Sequence, residues 1–223
     1  MSIDLKFGRR AALSGRARQM VVVLHGYGAD GADLLGLADP LGPHLPDAVF
    51  YAPDAPDPCA GNPFGRQWFG IPRFDGSTNN QAMAGLTRAQ LAVNRFLDAR
   101  LRDEGLAAKD LILLGFSQGA MTALHVAPRR SAPIAGVIAI SGRLIAPERL
   151  GPETTAKPPV LLMHGDRDEV VEFGEMASAG NALVAAGFDT YGHVMKGAGH
   201  GIAPDGLQVA LAFLQDRLGV KPG

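Results

Sequence analysis

LILLGFSQGAMTALHVA, residues 111–127, decides the fold. Its first part, residues 111–116, is almost wholly apolar on consecutive positions, the pattern of a strand buried on both faces. Its last part carries no proline before Pro128 and reads as a helix. Between them stands Gly115-Phe116-Ser117-Gln118-Gly119, a Gly-x-Ser-x-Gly pattern. A serine on a sharp strand-to-helix turn needs neighbours without side chains, and the two glycines leave its Oγ exposed. Five residues alone are a weak signal in a chain with 29 glycines, where a tight glycine turn with a solvent-facing serine is the plainer alternative. The strand before and the helix behind make the pattern specific.

Outward from this stretch the same rhythm repeats. Residues 20–24 (MVVVL), 48–52 (AVFYA), 134–140 (IAGVIAI) and 160–163 (VLLM) are further buried-strand runs, and 189–195 (DTYGHVM) is another candidate. Helical stretches fall at 81–104, 118–127, 173–186 and 205–218, the last with Leu207, Ala210, Leu211 and Leu214 on one stripe. Alternating strands and helices predict an α/β fold with a mainly parallel central sheet and helices on both faces. Residues 53–80 interrupt the rhythm. They are rich in proline and glycine and are read as one long loop, kept from disorder by Phe64, Trp68, Phe69 and Phe74.

A serine hydroxyl is a weak nucleophile at neutral pH and needs a base, which in turn needs an orienting acid. In α/β-hydrolases the chain order is Ser…Asp/Glu…His, so the partners are sought downstream. VLLMHGD (160–166) is a strand ending in a turn, with Asp166 and Asp168 close behind. Either aspartate fits. An Asp directly after a glycine commonly caps a turn, which favours Asp166 as structural and Asp168 as the acid. Downstream histidines are His193, inside a strand-like run and read as structural, and His200 in Gly197-Ala-Gly-His-Gly201. A histidine in a glycine-flanked loop can reach a serine, so His200 is the predicted base. His164 is read as support for the Asp166 turn, His44 as a surface residue, and His125 as a residue of the helix after Ser117.

Acyl transfer also needs donors aimed at the developing oxyanion. The N–H of the residue after the nucleophile, Gln118, is one. LHGYGAD (24–30) follows a buried strand and supplies a glycine-rich loop whose Tyr27 N–H is the candidate for the other. The loop lacks the glycine spacing and the lysine of phosphate-binding turns. Asp30 is read as a loop or helix cap. Phe64, Trp68 and Phe69 are expected to wall the acyl or alcohol site, with a satellite core under the long loop as their other reading.

Composition agrees and excludes much else. With 21 Lys+Arg against 22 Asp+Glu in 223 residues, there is no charge block to drive nucleic-acid binding. A single cysteine, Cys59, leaves no intrachain disulfide and no cysteine-rich metal site, and is expected to be inert. No His-Glu-x-x-His spacing occurs, so neither metal nor organic cofactor is expected. No apolar run approaches the roughly 18 residues of a membrane span, and no stretch of signal-peptide length opens the chain. The expectation is a cytoplasmic protein without stable membrane insertion, folded as a single α/β-hydrolase domain over 1–223 with no large cap domain. A homodimer is left open, since an apolar loop can also make contacts.

Four segments then line up: LHGYGADG (24–31), GFSQG (115–119), HGDRDEVV (164–171) and GAGHGI (197–202). Together they resemble the bacterial phospholipase/carboxylesterase family of α/β-hydrolases, which is related to acyl-protein thioesterases. The resemblance runs from about residue 20 to 218. It implies Ser117 as nucleophile, Asp168 as acid, His200 as base and Tyr27 and Gln118 as oxyanion donors, and it takes RQWFGI (66–71) as a substrate-loop segment. The activity implied is hydrolysis of short- to medium-chain carboxylic esters, a small-molecule substrate class, through an acyl-enzyme. The alternative is an acyl-protein thioesterase or lysophospholipase. A hydrolase-like binding protein without turnover is a third reading, disfavoured because every triad position is filled. Tyr27 departs from the small aliphatic residue usual after His-Gly in the thioesterase branch, which suggests a narrowed mouth favouring small acyl groups.

Overall fold

A computed structural model describes residues 4–59 and 62–221. In chain order the strands are β1 (Phe7–Arg10), β2 (Gln19–Leu24), β3 (Ala48–Pro53), β4 (Asp57–Cys59), β5 (Asn62–Gln67), β6 (Leu111–Phe116), β7 (Gly136–Ile140), β8 (Val160–Gly165) and β9 (Thr190–Met195). The helices are α1 (Gly31–Leu35), α2 (Ala38–Leu41), α3 (Pro72–Asp75), α4 (Asn79–Glu104), α5 (Gln118–Val126), α6 (Leu150–Glu153), α7 (Gly174–Ala185) and α8 (Pro204–Leu218). Among the described residues one seven-stranded sheet has the order β1-β3-β2-β6-β7-β8-β9, parallel except for β1, which runs antiparallel to β3.

The central strands are apolar throughout because both of their faces are covered. Side chains alternate across the sheet. Met20, Val22 and Leu24 of β2, with Leu111 and Leu113 of β6, face the layer of α4, α5 and α7. Val21, Val23, Ile112 and Leu114 face the layer of α1, α2 and α8. The helices bring matching stripes: Leu86, Val93 and Leu97 from α4 on one side, and Ala210, Phe213 and Leu214 from α8 on the other. The edge strand β1 is mostly exposed, which is why its FGRR lacks an apolar run and is invisible to the pattern.

Local signals set the boundaries. α4 begins two residues before its expected start because Thr78 and Gln81 form a capping box: Thr78 Oγ1 accepts from the Gln81 N–H at 3.2 Å, and Gln81 Oε1 accepts from the Thr78 N–H at 2.8 Å. Its end is Gly105, left-handed at φ 67°.

The segment 53–80 differs from the expected loop. It holds β4 and β5, paired antiparallel, then the short α3; residues 60 and 61 lie outside the described residues. Pro58 lies inside β4 and Pro63 inside β5, which a two-stranded ribbon tolerates because each strand has one edge that needs no N–H donor. No helix among the described residues is long and apolar enough to cross a membrane.

Candidate active site

The four glycine-rich segments all leave the carboxyl ends of parallel strands: β2 leads into 25–30, β6 into Ser117, β8 into 166–168 and β9 into 197–201. That edge is where an open α/β sheet presents its crevice.

Ser117 stands between β6 and α5 at φ 53° and ψ −116°. A non-glycine residue there costs roughly 1–3 kcal/mol and persists only where its surroundings over-determine it. They do. The Ser117 N–H donates to the Ile140 carbonyl at 2.8 Å, and its carbonyl accepts from the Met121 N–H at 3.1 Å. A side chain at position 119 would strike the Leu24 carbonyl, and one at 115 the Gly119 carbonyl, so both flanking glycines are required by packing.

His200 Nε2 lies 3.0 Å from Ser117 Oγ, and His200 Nδ1 lies 2.8 Å from Asp168 Oδ2. Asp168 is buried, and its Oδ1 accepts from the Val170 and Val171 N–H groups, each at 2.9 Å. Burial by itself would raise its pKa. The bonds from His200, Val171 and Val170 outweigh it and hold the carboxyl below the ordinary range. Asp166 does other work: its Oδ1 accepts from the Gly197 N–H at 2.6 Å and ties the two turns together. His164 does not support Asp166 as expected. Its Nε2 lies 2.9 Å from the Val171 carbonyl and 3.2 Å from Asp168 Oδ2, because residue 164 ends β8 with its ring turned toward the 168–171 turn. His193 bonds Asp205 at 2.8 Å, away from the serine.

The 25–30 loop is braced from three sides. His25 Nε2 accepts from the Ala55 N–H at 3.0 Å, so its proton sits on Nδ1, which donates to the Gly26 carbonyl at 2.7 Å. Burial pushes the pKa of this ring down and keeps it neutral. In a trans peptide the C=O and N–H point opposite ways, so the same bond turns the Tyr27 N–H away from the His25 ring. The Gly28 N–H donates to the Arg66 carbonyl at 2.9 Å, and the Arg66 N–H to the Ala29 carbonyl at 2.8 Å. Trp68 Nε1 donates to the His25 carbonyl at 2.9 Å. Gln118, buried at the start of α5, accepts the Trp68 N–H at 2.9 Å through Oε1 and donates to the Phe69 carbonyl at 2.6 Å through Nε2. Asp30 caps α1, accepting from the Ala32 and Asp33 N–H groups.

Ser117 and His200 open onto a cavity of about 780 Å³. Its apolar wall includes Phe69, Ile71, Phe74, Met83, Leu86, Met121 and Ile145; its mouth carries Asp33, Arg73, Arg143, Glu172 and Glu175. Tyr27 lines it too, with its ring 5.6 Å from that of Phe74 and its hydroxyl beside Cys59; burial first, and that thiol second, raise the phenol pKa.

Of the three aromatics expected in the wall, only Phe69 lines the cavity. Phe64 is a correction: it is 90% exposed on β5, beside the likewise exposed Pro63 on the outer part of the ribbon. Trp68 is a second correction, fully buried in the core and spent on the His25 carbonyl. The sequence reading places Met83 and Leu86 only within the 81–104 helical stretch and assigns no role to Met121 or Ile145. The apolar periodicity of a core stripe and of a cavity wall is the same, so the sequence held no signal to separate them.

The family described as phospholipase/carboxylesterase matches residues 11–218. Esterase YpfH of Escherichia coli (strain K12) is 29% identical over 200 residues, covering 89% of this chain and 83% of the relative. Acyl-protein thioesterase 1 of Saccharomyces cerevisiae is 29% identical over 222 residues, covering 94% and 97%. The crystal structure of esterase PE8 superposes with a TM-score of 0.92 at 42% identity, covering 97% of this chain and 100% of that one. The chain belongs to the phospholipase/carboxylesterase family of α/β-hydrolases.

Proposed function

We propose that the protein is a serine esterase that hydrolyses short- to medium-chain carboxylic esters through an acyl-enzyme on Ser117. The observation that carries this reading is the Ser117–His200–Asp168 relay, with contacts of 3.0 and 2.8 Å, facing an apolar cavity. His200 Nε2 takes the hydroxyl proton as Oγ attacks the ester carbonyl. Asp168, held ionised, keeps the proton-bearing Nδ1 toward itself and stabilises the imidazolium. The oxyanion rests on the Tyr27 and Gln118 N–H groups, the second at the amino end of α5, whose dipole adds to the stabilisation. His200 then protonates the leaving alcohol, and water repeats the cycle on the acyl-enzyme.

The apolar wall from Phe69 to Ile145 suits an acyl chain, and Tyr27, tilted against Phe74, narrows the cavity that Ser117 faces. The test is a p-nitrophenyl ester series from acetyl through butyryl to octanoyl. The reading expects turnover that peaks within the series and vanishes in Ser117→Ala; turnover surviving in that variant refutes it.

Hydrolysis of long-chain acyl thioesters is the second reading. It is favoured by the near full-length match to a relative named acyl-protein thioesterase 1. A kcat/KM that keeps rising from octanoyl to palmitoyl thioesters selects it over the first.

A further inference from the structure

His164 is a buried, chemistry-bearing group that the steps above leave unused. It is 1% exposed at the end of β8. Its Nε2 faces two acceptors at once, the Val171 carbonyl at 2.9 Å and Asp168 Oδ2 at 3.2 Å. Neither can donate to a ring nitrogen while Asp168 is ionised, so Nε2 must carry the proton. The oxygen it approaches is the one that receives His200 Nδ1 at 2.8 Å, while the other carboxylate oxygen is occupied by the Val170 and Val171 N–H groups. The 168–171 turn therefore holds Asp168 by Oδ1, and His164 holds that turn through the Val171 carbonyl while standing against Oδ2. The Phe173 ring, edge-on at 6.1 Å, closes the remaining side of the imidazole.

We propose that His164 is a positioning residue for the triad carboxylate: it pins the Asp168 turn to the end of β8 and keeps Oδ2 aimed at His200. The proposal rests on the triad reading above. It explains a geometric problem that reading leaves open. Two backbone N–H groups on Oδ1 define one end of the carboxylate, but the tilt of Oδ2 toward His200 depends on where the whole turn sits. One N–H shared between the turn's carbonyl and Oδ2 registers both to the sheet. A small misplacement of a catalytic group is enough to cost about 10² in rate.

The experiment compares His164→Leu with His164→Gln, whose Nε2 can take the place of the imidazole N–H, in the wild-type and the Asp168→Asn backgrounds. Thermal melting accompanies each, and active sites are counted by organophosphonate titration so that kcat is expressed per competent molecule. His164→Leu is expected to lower kcat on the order of 10-fold with KM within twofold. His164→Gln is expected to recover most of that loss. In the Asp168→Asn background the His164→Leu loss should shrink to less than twofold, since a residue acting through Asp168 has nothing left to position. A kcat unchanged in His164→Leu overturns the proposal, as does an equal loss in both backgrounds, which marks a general packing effect. If His164→Leu does not fold, failure of His164→Gln to differ in kcat from His164→Phe overturns it instead. Full activity in Asp168→Asn alone refutes the triad reading itself and is read independently of His164.

Discussion

Two regions meet at Ser117 and are built in opposite ways. On one side, Ser117, Asp168 and His200 hang from short turns at the ends of β6, β8 and β9, each only a few residues from a strand of the central sheet. On the other, the 25–30 loop and the cavity wall depend on bonds between distant segments: His25 to Ala55, Gly28 to Arg66, Trp68 to His25 and Gln118 to Phe69. The first region inherits its precision from the sheet. The second must supply its own, from backbone groups donated by a ribbon that is neither in the sheet nor in a helix layer. Gln118 joins the two, with its main chain at the elbow and its amide gripping the ribbon.

Removing the proposed nucleophile is the sharpest test of the first region. Ser117→Ala is expected to lower kcat/KM for p-nitrophenyl butyrate by about 10⁴-fold or more while leaving the melting temperature close to wild type.

Gln118→Ala cuts the link between the regions without touching the backbone N–H. It strands the Trp68 N–H and the Phe69 carbonyl, at about 1–3 kcal/mol each. Chemical denaturation should show a stability loss of that order, with kcat down by about 10- to 100-fold. If stability falls and kcat does not, the ribbon has no part in aligning the site.

Acid probes the scaffold beneath the first region. His125 is buried on α5 with no partner for Nδ1 among the described residues. Burial, then the nearby Arg129 guanidinium, lowers its pKa from 6.5 to about 4. As pH falls through that window the unfolded chain binds a proton that the folded chain refuses, so stability drops, by at most about 3 kcal/mol. Unfolding free energies between pH 7 and 4 should fall along that slope in the wild type, and His125→Leu should flatten it.

Tyr27→Leu probes the wall while keeping the donor N–H. The octanoyl-to-acetyl ratio of kcat/KM should rise about 3- to 10-fold. An unchanged ratio removes Tyr27 from any account of chain length.

Phe64→Ala is the smallest effect. At 90% exposure it should change kcat, KM and stability by less than about twofold. A larger effect on KM would bring the outer face of the ribbon back into substrate binding.

The legibility of the two regions follows from their construction. Ser117 and Asp168 stood out as candidates because each sits in a short turn after an apolar strand, and His200 because glycines flank it; the fold brings the three within hydrogen-bond reach. Asp166 could be told from Asp168 by turn chemistry alone, and it does tie down the Gly197 turn. Trp68 and Phe64 could not be told apart. They are four residues apart in the same segment, yet one is fully buried and the other almost fully exposed. The difference is set by where the ribbon docks.

By itself the sequence determined a mainly parallel α/β sheet, the glycine elbow between β6 and α5, and the residues that the strand ends present; the order of the strands across the sheet came from the structure. Buried strands and glycine turns are local, and their patterns survive in one dimension. Only the tertiary structure decided that 53–80 is a paired ribbon, that Gln118 and His25 brace it, that Met121 and Ile145 join the cavity wall, and that His164 stands on the oxygen shared with His200. The bracing bonds of His25 and Gln118 join residues dozens of positions apart through backbone N–H and C=O groups, which nearly every residue carries and no letter of the sequence distinguishes.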